Sequence, residues 1–255
     1  MADVRIIGKK GSKSKLAIAR NTNLRLYKGG KADLIVNYGL PGSKLRSILG
    51  RYPVARNIPV ANRYVGLSKY KAVQEANRNK ILVPESKISL ANSDRMDEWI
   101  EKRFHSSQGN GICKARGRGR VQGKYYQKMI NDRRFELRVH AFLWIPKEEW
   151  KLHKRYGPDD QIAWNFHQGG YFQSVKYPNK YDVFLKSKDI AEKILGMYNM
   201  VFGAVDLIVD NSMKIYFIEV NASPGFTELS QNTYFDAMNR LSEMTAREAK
   251  SFGSK

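Results

Sequence analysis

The stretch "FGAVDLIVDNSMKIYFIEVNASPGF", Phe202–Phe226, decides how this chain folds. Two apolar runs flank the polar turn "NSMK", which predicts an antiparallel hairpin. The second run, however, carries a carboxylate at Glu219 and an amide at Asn221, and "NASPG" ends it at once. Polar groups inside an apolar strand need partners, because burying an unpaired charge is costly.

The register of the hairpin decides whether these polar groups meet others. With Ser212 and Met213 as a two-residue loop, Asp206 lies directly opposite Glu219, and both side chains leave the sheet on the same side. A shift by two residues keeps that arrangement, whereas a shift by one destroys it. Asn221 shares the face of Glu219. The alternative is a strand end whose polar groups simply meet solvent.

Two carboxylates and an amide oxygen on one face indicate a cation site. Carboxylates packed side by side are costly unless positive charge lies between them. A ligand set without His or Cys favours Mg²⁺ or Mn²⁺ over zinc. Because Mg²⁺ in proteins usually joins one or two carboxylates to substrate phosphates, we expect a phosphate site nearby.

The composition is that of a strongly basic globular chain. Of 255 residues, 42% are hydrophobic and 27% charged, and 45 Lys and Arg against 24 Asp and Glu give a net charge of +21. Such a field attracts polyanions. The single cysteine, Cys113, excludes an intrachain disulfide and fits a reducing compartment, so we predict a cytoplasmic location. The N-terminus lacks the apolar run of a signal peptide and no apolar stretch has membrane length, so we predict no membrane association.

Apolar periodicity predicts a chain of mixed helices and strands. Residues 1 to about 65 alternate short apolar runs with turns, as in a small α/β unit. Strict alternation in "FELRVHAFLW" puts Glu136, Arg138 and His140 on one face of a strand. Residues 147–181 show no clear period and are predicted as loop. The other predicted elements are strands at 33–39, 99–104 and 124–130, and helices at "KLRSILGRY", "KYKAVQEANRN" after a Ser68 cap, "SKDIAEKILGMYN" after a Ser187 cap, and "YFDAMNRLSEM".

A glycine-containing loop follows the strand predicted at 99–104. "RFHSSQGNGI", Arg103–Ile112, lets backbone N–H groups approach phosphate oxygens, because glycine has no side chain in the way. The loop lacks the Lys-Ser/Thr ending of a P-loop and the spacing of a dinucleotide fingerprint, and an ordinary turn is the alternative. Side chains with the charge to hold phosphate are Lys69, Lys102, Arg103 and Arg138.

Together these features resemble the ATP-grasp superfamily, the ligases that include D-alanine–D-alanine ligase, glutathione synthetase and ribosomal-protein glutamate ligases. The resemblance covers residues 33–240 and is most specific in "FGAVDLIV" and "FIEVNASPG". It implies an α+β fold, the ATP-grasp fold, in which a small N-terminal α/β domain (1–66) precedes two α+β subdomains (67–126 and 127–255) that enclose ATP. The compact, basic build is also similar to phage-encoded members, for which the host cytoplasm would be the location.

The resemblance implies a role for each candidate residue. Asp206, Glu219 and Asn221 would hold Mg²⁺ (or Mn²⁺) on the ATP phosphates, and Arg138 would contact the γ-phosphate and the developing acylphosphate. The nucleotide contacts would be Lys69 with either Lys102 or Arg103 on the α- and β-phosphates, Ser106, Ser107, Gln108, Gly109 and Gly111 in the closing loop, Gln127, Lys128, Met129 and Ile130 as the adenine linker, and Glu136 at the ribose.

The implied reaction is ATP-dependent carboxylate–amine ligation. A substrate carboxylate would attack the γ-phosphate, ADP would leave, and an amine would attack the acylphosphate. Two departures from the family pattern concern the acceptor side. Ala204 stands where several members carry an arginine, and the chain is short for the superfamily, which implies reduced acceptor-binding parts.

The basic surplus keeps two alternatives open. "KARGRGRVQGK" carries five cations in eleven residues, and 151–181 mixes aromatic and basic side chains, a composition typical of nucleic-acid binding. One alternative is therefore a nucleic-acid-binding protein on this fold with reduced or no catalysis, and the other is an ATP-dependent kinase. The predicted partners are ATP and an acidic peptide, nucleic acid or other polyanionic acceptor. The four histidines lack metal-ligand spacing and are interpreted as ordinary.

Overall fold

Three β-sheets organise this computed structural model, which describes residues 1–63, 68–105, 111–158, 162, 164 and 169–253. The N-terminal sheet is parallel, with strand order β2-β1-β3-β4. Every residue of β3 is buried, as the apolar run at 33–39 predicts. Its elements are β1 (Val4–Gly8), α1 (Lys13–Asn21), β2 (Arg25–Leu26), β3 (Leu34–Tyr38), α2 (Gly42–Leu49) and β4 (Val60–Ala61).

The central sheet is antiparallel, with strand order β5-β8-β6-β7. The helix that precedes this sheet, Lys69–Arg78, begins after Ser68. The Ser68 side chain caps it by accepting a hydrogen bond from the Lys71 N–H, which confirms the predicted helix start. Its elements are α3 (Lys69–Arg78), β5 (Ser86–Lys87), β6 (Trp99–Arg103), β7 (Cys113–Lys114) and β8 (Lys124–Lys128). Lys102 lies opposite Tyr125 and Ile100 opposite Gln127, so these four side chains share one face.

The C-terminal sheet is antiparallel and has five strands, in the order β11-β10-β9-β12-β13. The side chains of Leu137 and Val139 on one face belong to the main core, together with Ile194 and Leu195 of the helix that covers it. Its elements are β9 (Arg133–Phe142), β10 (Lys151–Tyr156), β11 (Tyr171–Ser174), α4 (Asp182–Met197), β12 (Phe202–Asp210), β13 (Ile215–Asn221), α5 (Glu228–Glu243) and α6 (Ala246–Ser251).

Two sequence predictions in this region are wrong. Residues 147–181 are not all loop, because β10 and β11 lie within them. The helix predicted after Ser187 begins at Asp182, and Ser187 is a buried interior residue whose hydroxyl donates to the Val183 carbonyl. In both cases the polar residues suggested an interruption, but tertiary packing accommodates them inside a regular element.

The β12–β13 hairpin has the predicted pairing of Asp206 with Glu219, but its loop and second strand differ from the prediction. Its loop has three residues, 211–213, rather than the predicted two, and Met213 takes a φ of 64° after a turn closed by its N–H to the Asp210 carbonyl. That loop shifts the register by one residue. A bulge at Ile218 shifts it back, so Asp206 does lie opposite Glu219.

The N-terminal and C-terminal sheets share one hydrophobic core. The ring of Tyr38 stacks on Phe202 with centroids 6.0 Å apart, and its hydroxyl donates to the Pro224 carbonyl at 2.7 Å. The end of β3 therefore touches the "NASPG" segment that follows β13. The domain boundaries at 66/67 and 126/127 stay a prediction. In the part of the chain that is described, no helix has the length and apolar character needed to cross a membrane.

Candidate active site

A row of polar side chains crosses one face of the C-terminal sheet, opposite the face that carries Leu137 and Val139. Strand pairing sets His153, Arg138, Asp206 and Glu219 side by side on β10, β9, β12 and β13. Directly opposed residues in antiparallel strands project to the same face, so one register brings all four together. Leu207 and Val139, one residue away from this row, point instead into the core.

Asp206 and Arg138 form a bidentate ion pair at the centre of the row. The guanidinium Nε and Nη2 atoms donate to the two carboxylate oxygens, each at 2.7 Å. Burial by itself would raise the pKa of Asp206, but the charge and hydrogen bonds of Arg138, with the charges of Arg155 and Lys69, together hold that pKa below its ordinary value. The pKa of Arg138 is raised in return, because Asp206 outweighs the opposing effect of burial. Both groups are therefore charged at neutral pH.

Glu219 pairs with the first residue of α3. The Lys69 Nζ lies 2.5 Å from Glu219 Oε2, and the Asn221 amide donates to Oε1 at 3.2 Å. Burial and the charge of Asp206 oppose ionisation of Glu219, yet Lys69 and Lys102 together keep its pKa below the ordinary value. Lys69 reaches this carboxylate because the Ser68 cap starts α3 at that point, which brings the central sheet's helix against β13.

Lys102 and Arg103 occupy opposite faces of β6. Lys102 is buried and donates to the Gln127 side-chain oxygen at 2.9 Å, whereas Arg103 is exposed. Burial lowers the pKa of Lys102 to about 8, and the nearby Glu219 and Asp206 limit that fall. Lys102 is therefore the member of this pair that faces the carboxylates of the C-terminal sheet.

A cavity of about 540 Å³ lies between the central and C-terminal sheets. All four residues of the predicted adenine linker line it, and Trp164 and Ile208 contribute from the other side. The backbone N–H groups of Lys128 and Met129 already donate to the Glu85 and Glu98 carbonyls. The cavity is thus a slot with one wall from each sheet, and Lys102 and Gln127 connect it to the carboxylates.

Comparison with protein families and solved structures shows similarity to ATP-grasp proteins. The family model of the RimK-like ATP-grasp domain matches residues 153–245. D-alanine–D-alanine ligase from Bacillus anthracis complexed with ATP is similar to this chain with a TM-score of 0.64, at 12% identity over 98% of both chains. Two further ATP-grasp ligases align comparably. One is the ATP-grasp ligase PsnB complexed with minimal precursor, Mg and ADP (TM-score 0.59, 11% identity, 93% of this chain and 97% of that one). The other is a Chryseobacterium gregarium RiPP-associated ATP-grasp ligase in complex with ADP and a leader and core peptide (TM-score 0.57, 12% identity, 95% and 96%). A search of curated protein sequences gave no match.

Residues 153–245 thus match a RimK-like ATP-grasp domain, and the chain as a whole shares the fold of the ATP-grasp ligases. The α+β, ATP-grasp fold that the sequence predicts is therefore confirmed. The family match spans β10 to the end of α5, which includes Asp206 and Glu219.

The predicted ATP-grasp phosphate loop lies largely outside the described residues. Ser106, Ser107, Gln108 and Gly109 are in the range 106–110 that is not described. Gly111 is described: it is exposed and has a φ of +79°, and a Cβ there would meet the Arg103 side chain at 2.8 Å. Glycine at this position therefore permits both a left-handed backbone and a close contact with Arg103.

The donor set of this site fits a hard divalent cation that is shared with a ligand. Within the described ranges, no three His, Cys, Asp or Glu side chains group as metal ligands. Asp206 and Glu219 supply two carboxylates, and the Asn221 side chain supplies an amide oxygen. That set is too small to enclose Mg²⁺ alone, but it matches the usual pattern in which one or two carboxylates bind Mg²⁺ together with substrate phosphates.

Two arginines at the site, Arg133 and Arg155, were missed in the sequence. Glu136 accepts hydrogen bonds from Arg133 at 2.8 Å and from Arg155 at 2.6 Å, and Arg155 Nη2 also lies 3.9 Å from Asp206 Oδ2. Arg155 comes from β10, where Lys151, His153 and Arg155 alternate toward the site. The alternation in "KLHKRY" was the available signal, but it is weak because Lys154 stands between Leu152 and Tyr156 on the apolar face.

A buried hydrogen-bonded chain of two histidines and a tyrosine lies beside Arg138. His140 Nδ1 is 2.8 Å from the Tyr234 hydroxyl, and His140 Nε2 is 3.0 Å from His153 Nδ1. Burial holds the pKa of His140 well below its ordinary value and, with the charge of Arg138, lowers that of His153 to about 4. These two histidines are therefore neutral at physiological pH, and they add no charge to the guanidinium next to them.

Proposed function

We propose that this chain is an ATP-dependent carboxylate–amine ligase that forms a C–N bond through an acylphosphate. The observation that carries the proposal is the polar row in which Arg138 and Lys69 contact Asp206 and Glu219, with Lys102 facing the same carboxylates. This row stands at one end of a slot between two sheets. Cations and carboxylates gathered at the end of a nucleotide-sized slot suit an Mg²⁺–triphosphate, because that ligand carries both kinds of charge.

In this proposal the nucleotide lies along the slot, with its base against Gln127–Ile130. Because the N–H groups of Lys128 and Met129 already donate to carbonyls, the base would bind the Ile130 N–H and backbone carbonyls of the linker. Lys69 and Lys102 would hold the α- and β-phosphates, and Glu136 would lie at the ribose. Of the two cations that the sequence left open, burial and direction both favour Lys102 over Arg103.

Asp206, Glu219 and Asn221 would bind Mg²⁺ or Mn²⁺ with the phosphates. The bound ion would offset the negative charge on the transferring phosphoryl group. Arg138 is held in place by its two bonds to Asp206, so its guanidinium needs little reorganisation to meet charge that develops at the γ-phosphate. A substrate carboxylate oxygen attacks phosphorus and the bond to ADP breaks. An amine then attacks the acyl carbon, and inorganic phosphate leaves with the amine proton lost to solvent.

We propose an acidic peptide as the acceptor. A net charge of +21 favours an anionic partner, and two similar structures are described with a peptide or precursor bound. The nucleic-acid alternative is weaker, since the basic segment 114–124 is partly used in the fold. Arg118 donates to the Ala91 and Asp94 carbonyls, and Lys124 pairs with Glu101 at 2.8 Å.

The test is Mg²⁺-dependent ATP turnover by the full chain with a panel of acidic peptides, amino acids and nucleic acids. Mass spectrometry of the products separates ligation (mass of two substrates minus water) from the kinase alternative (one substrate plus phosphate). We expect Lys102→Met to abolish turnover and the matched variant Arg103→Met to retain most of it. Turnover that persists in both Asp206→Asn and Glu219→Gln would contradict the proposed site. Nucleic-acid binding without ATP that weakens steeply with salt would favour the nucleic-acid alternative instead.

A further inference from the structure

The hydroxyl of Tyr125 is a buried polar group without a partner. Tyr125 is fully buried, and in the described part of the chain its hydroxyl oxygen is the one buried side-chain polar atom that makes no hydrogen bond. A buried donor without an acceptor forfeits the hydrogen bonds that it made to water, so native structures contain few of them. Such a group calls for an explanation, and a ligand that is bound during function is one.

The other buried tyrosines show that this fold normally satisfies its phenols. The adjacent Tyr126, on the opposite face of β8, donates to the Gly119 carbonyl at 2.7 Å. Tyr38 likewise donates to the Pro224 carbonyl and Tyr198 to the Ala72 carbonyl, and the Tyr234 hydroxyl is hydrogen-bonded to His140. Tyr125 departs from this pattern although its ring is well packed, 5.3 Å from Tyr70 and stacked at 6.0 Å on Phe104.

The position of Tyr125 points to the phosphate end of the slot. It lies directly opposite Lys102, so its side chain projects to the face that carries the Lys102 ammonium. The charge of Glu219 reaches the phenol and, after burial, is the second cause that raises its pKa. Tyr70, which packs on the ring, follows Lys69 in α3. The Tyr125 phenol therefore lies on the face of β8 that is directed toward the two lysines and the glutamate of the site.

The adenine end is a poorer match for this hydroxyl. The cavity lining begins at Gln127, two residues beyond Tyr125, or about 7 Å along a strand. The raised pKa keeps the phenol protonated, so it is a donor that suits an anionic oxygen.

We propose that Tyr125 is a nucleotide-binding residue whose hydroxyl donates a hydrogen bond to a phosphate oxygen of ATP and ADP. The inference rests on the proposed function, because it requires that the phosphates lie between Lys69 and Lys102. It adds a neutral donor to a site that otherwise binds phosphate through charged side chains.

The experiment compares Tyr125→Phe with the matched control Tyr126→Phe in the full chain. Each variant removes one hydroxyl from adjacent residues and keeps the ring. For Tyr125→Phe we expect ADP–Mg²⁺ affinity, measured by calorimetry, to fall about tenfold to a hundredfold, since the bond is made to a charged acceptor. The melting temperature of the ligand-free protein should stay the same or rise, because an unpaired polar group is removed. Tyr126→Phe should do the reverse: a lower melting temperature, with ADP affinity within about twofold of wild type.

Three outcomes would overturn the inference. The first is unchanged ADP affinity in Tyr125→Phe. The second is a ligand-free melting temperature that falls as much as in Tyr126→Phe, which would mean that the hydroxyl is bonded within the protein. The third is an equal loss of affinity for adenosine in a competition assay, which would assign the contact to the nucleoside. Wild-type protein that binds no ADP would overturn the nucleotide site itself, whereas normal wild-type binding with an unaffected Tyr125→Phe would overturn only the role of Tyr125.

Discussion

Phe217 and Glu219 are two residues apart on one strand, yet they face opposite sides of the sheet. In a regular strand their side chains would share a face. The bulge at Ile218 reverses the alternation, so Phe217 lies opposite Leu207 in the core and Glu219 lies opposite Asp206 in the site. One extra residue thus lets a core strand end in the polar groups of a binding site.

This relationship predicts that substitution of Phe217 mainly lowers stability, whereas substitution of Glu219 mainly lowers activity. Phe217→Ala should lower the free energy of unfolding by about 3–5 kcal/mol, because it leaves a cavity in the core. Glu219→Gln should cost only about 1 kcal/mol, since it removes one charged partner of the partly exposed Lys69, but it should abolish Mg²⁺-dependent turnover. Denaturant titration and ATP turnover measure the two effects.

The opposite order of stability losses would contradict the bulge at Ile218. If Glu219→Gln were the more destabilising variant, Glu219 would belong to the core face. Phe217→Ala serves as the matched control for activity, because it should keep its specific turnover at temperatures where it stays folded.

The sequence predicts the Asp206–Glu219 pair correctly for an incomplete reason. A two-residue loop and a straight strand give the same opposition as the observed three-residue loop with a bulge, since the two one-residue shifts cancel. No local signal marks Ile218 as the bulged residue, because its choice depends on which neighbours must reach the core. Turn composition and periodicity therefore predict the pairing but not its construction.

The elements with an apolar face are the ones that the sequence predicts. The strand predicted at 33–39 forms as Leu34–Tyr38 and is buried along that length, and α3 starts at its predicted cap. The strand β10 was missed because its Lys151, His153 and Arg155 face polar neighbours in the site. Site residues that are held by other site residues carry no hydrophobic pattern, so they become recognisable only when the strands are paired.

Removing the charge of Asp206 should destabilise the protein as well as inactivate it. Asp206→Asn leaves the Arg138 guanidinium with one neutral acceptor in place of a bidentate carboxylate, and Arg138 keeps its charge. We expect a loss of about 3 kcal/mol in the free energy of unfolding by denaturant titration. The double variant Asp206→Leu, Arg138→Met should recover much of that stability without recovering turnover, because it removes both charges. A double variant as unstable as Asp206→Asn would contradict the ion-pair explanation.

The neutral histidines beside Arg138 should make the protein sensitive to mild acid. Burial and Arg138 lower the pKa of His153 to about 4 in the folded protein, against about 6.5 when unfolded. The unfolded chain therefore binds the proton first, and stability is lost as pH falls from about 6.5 toward 4. We expect His153 to account for about 1–2 kcal/mol of lost stability between pH 7.5 and 5, measured by denaturant titration at each pH.

His153→Gln provides the comparison, because glutamine keeps a polar partner for His140 but does not titrate in this range. The stability of this variant should fall less steeply between pH 7.5 and 5 than that of wild type. Equal slopes in the two proteins would show that His153 is already charged in the native state, or that other groups dominate the acid response.

The buried lysine of the site should make nucleotide affinity depend on pH in the alkaline range. Burial lowers the pKa of Lys102 to about 8, so the free protein loses this charge as pH rises from 7 to 9. If the phosphates bind only the protonated form, apparent ADP affinity should fall about tenfold over that interval, in proportion to the protonated fraction. Lys102→Arg keeps its charge throughout, so its ADP affinity should change little between pH 7 and 9 even if it is weaker overall. Because the ionisation of ADP is common to both titrations, a parallel decline in the two proteins would assign the effect to a group other than Lys102.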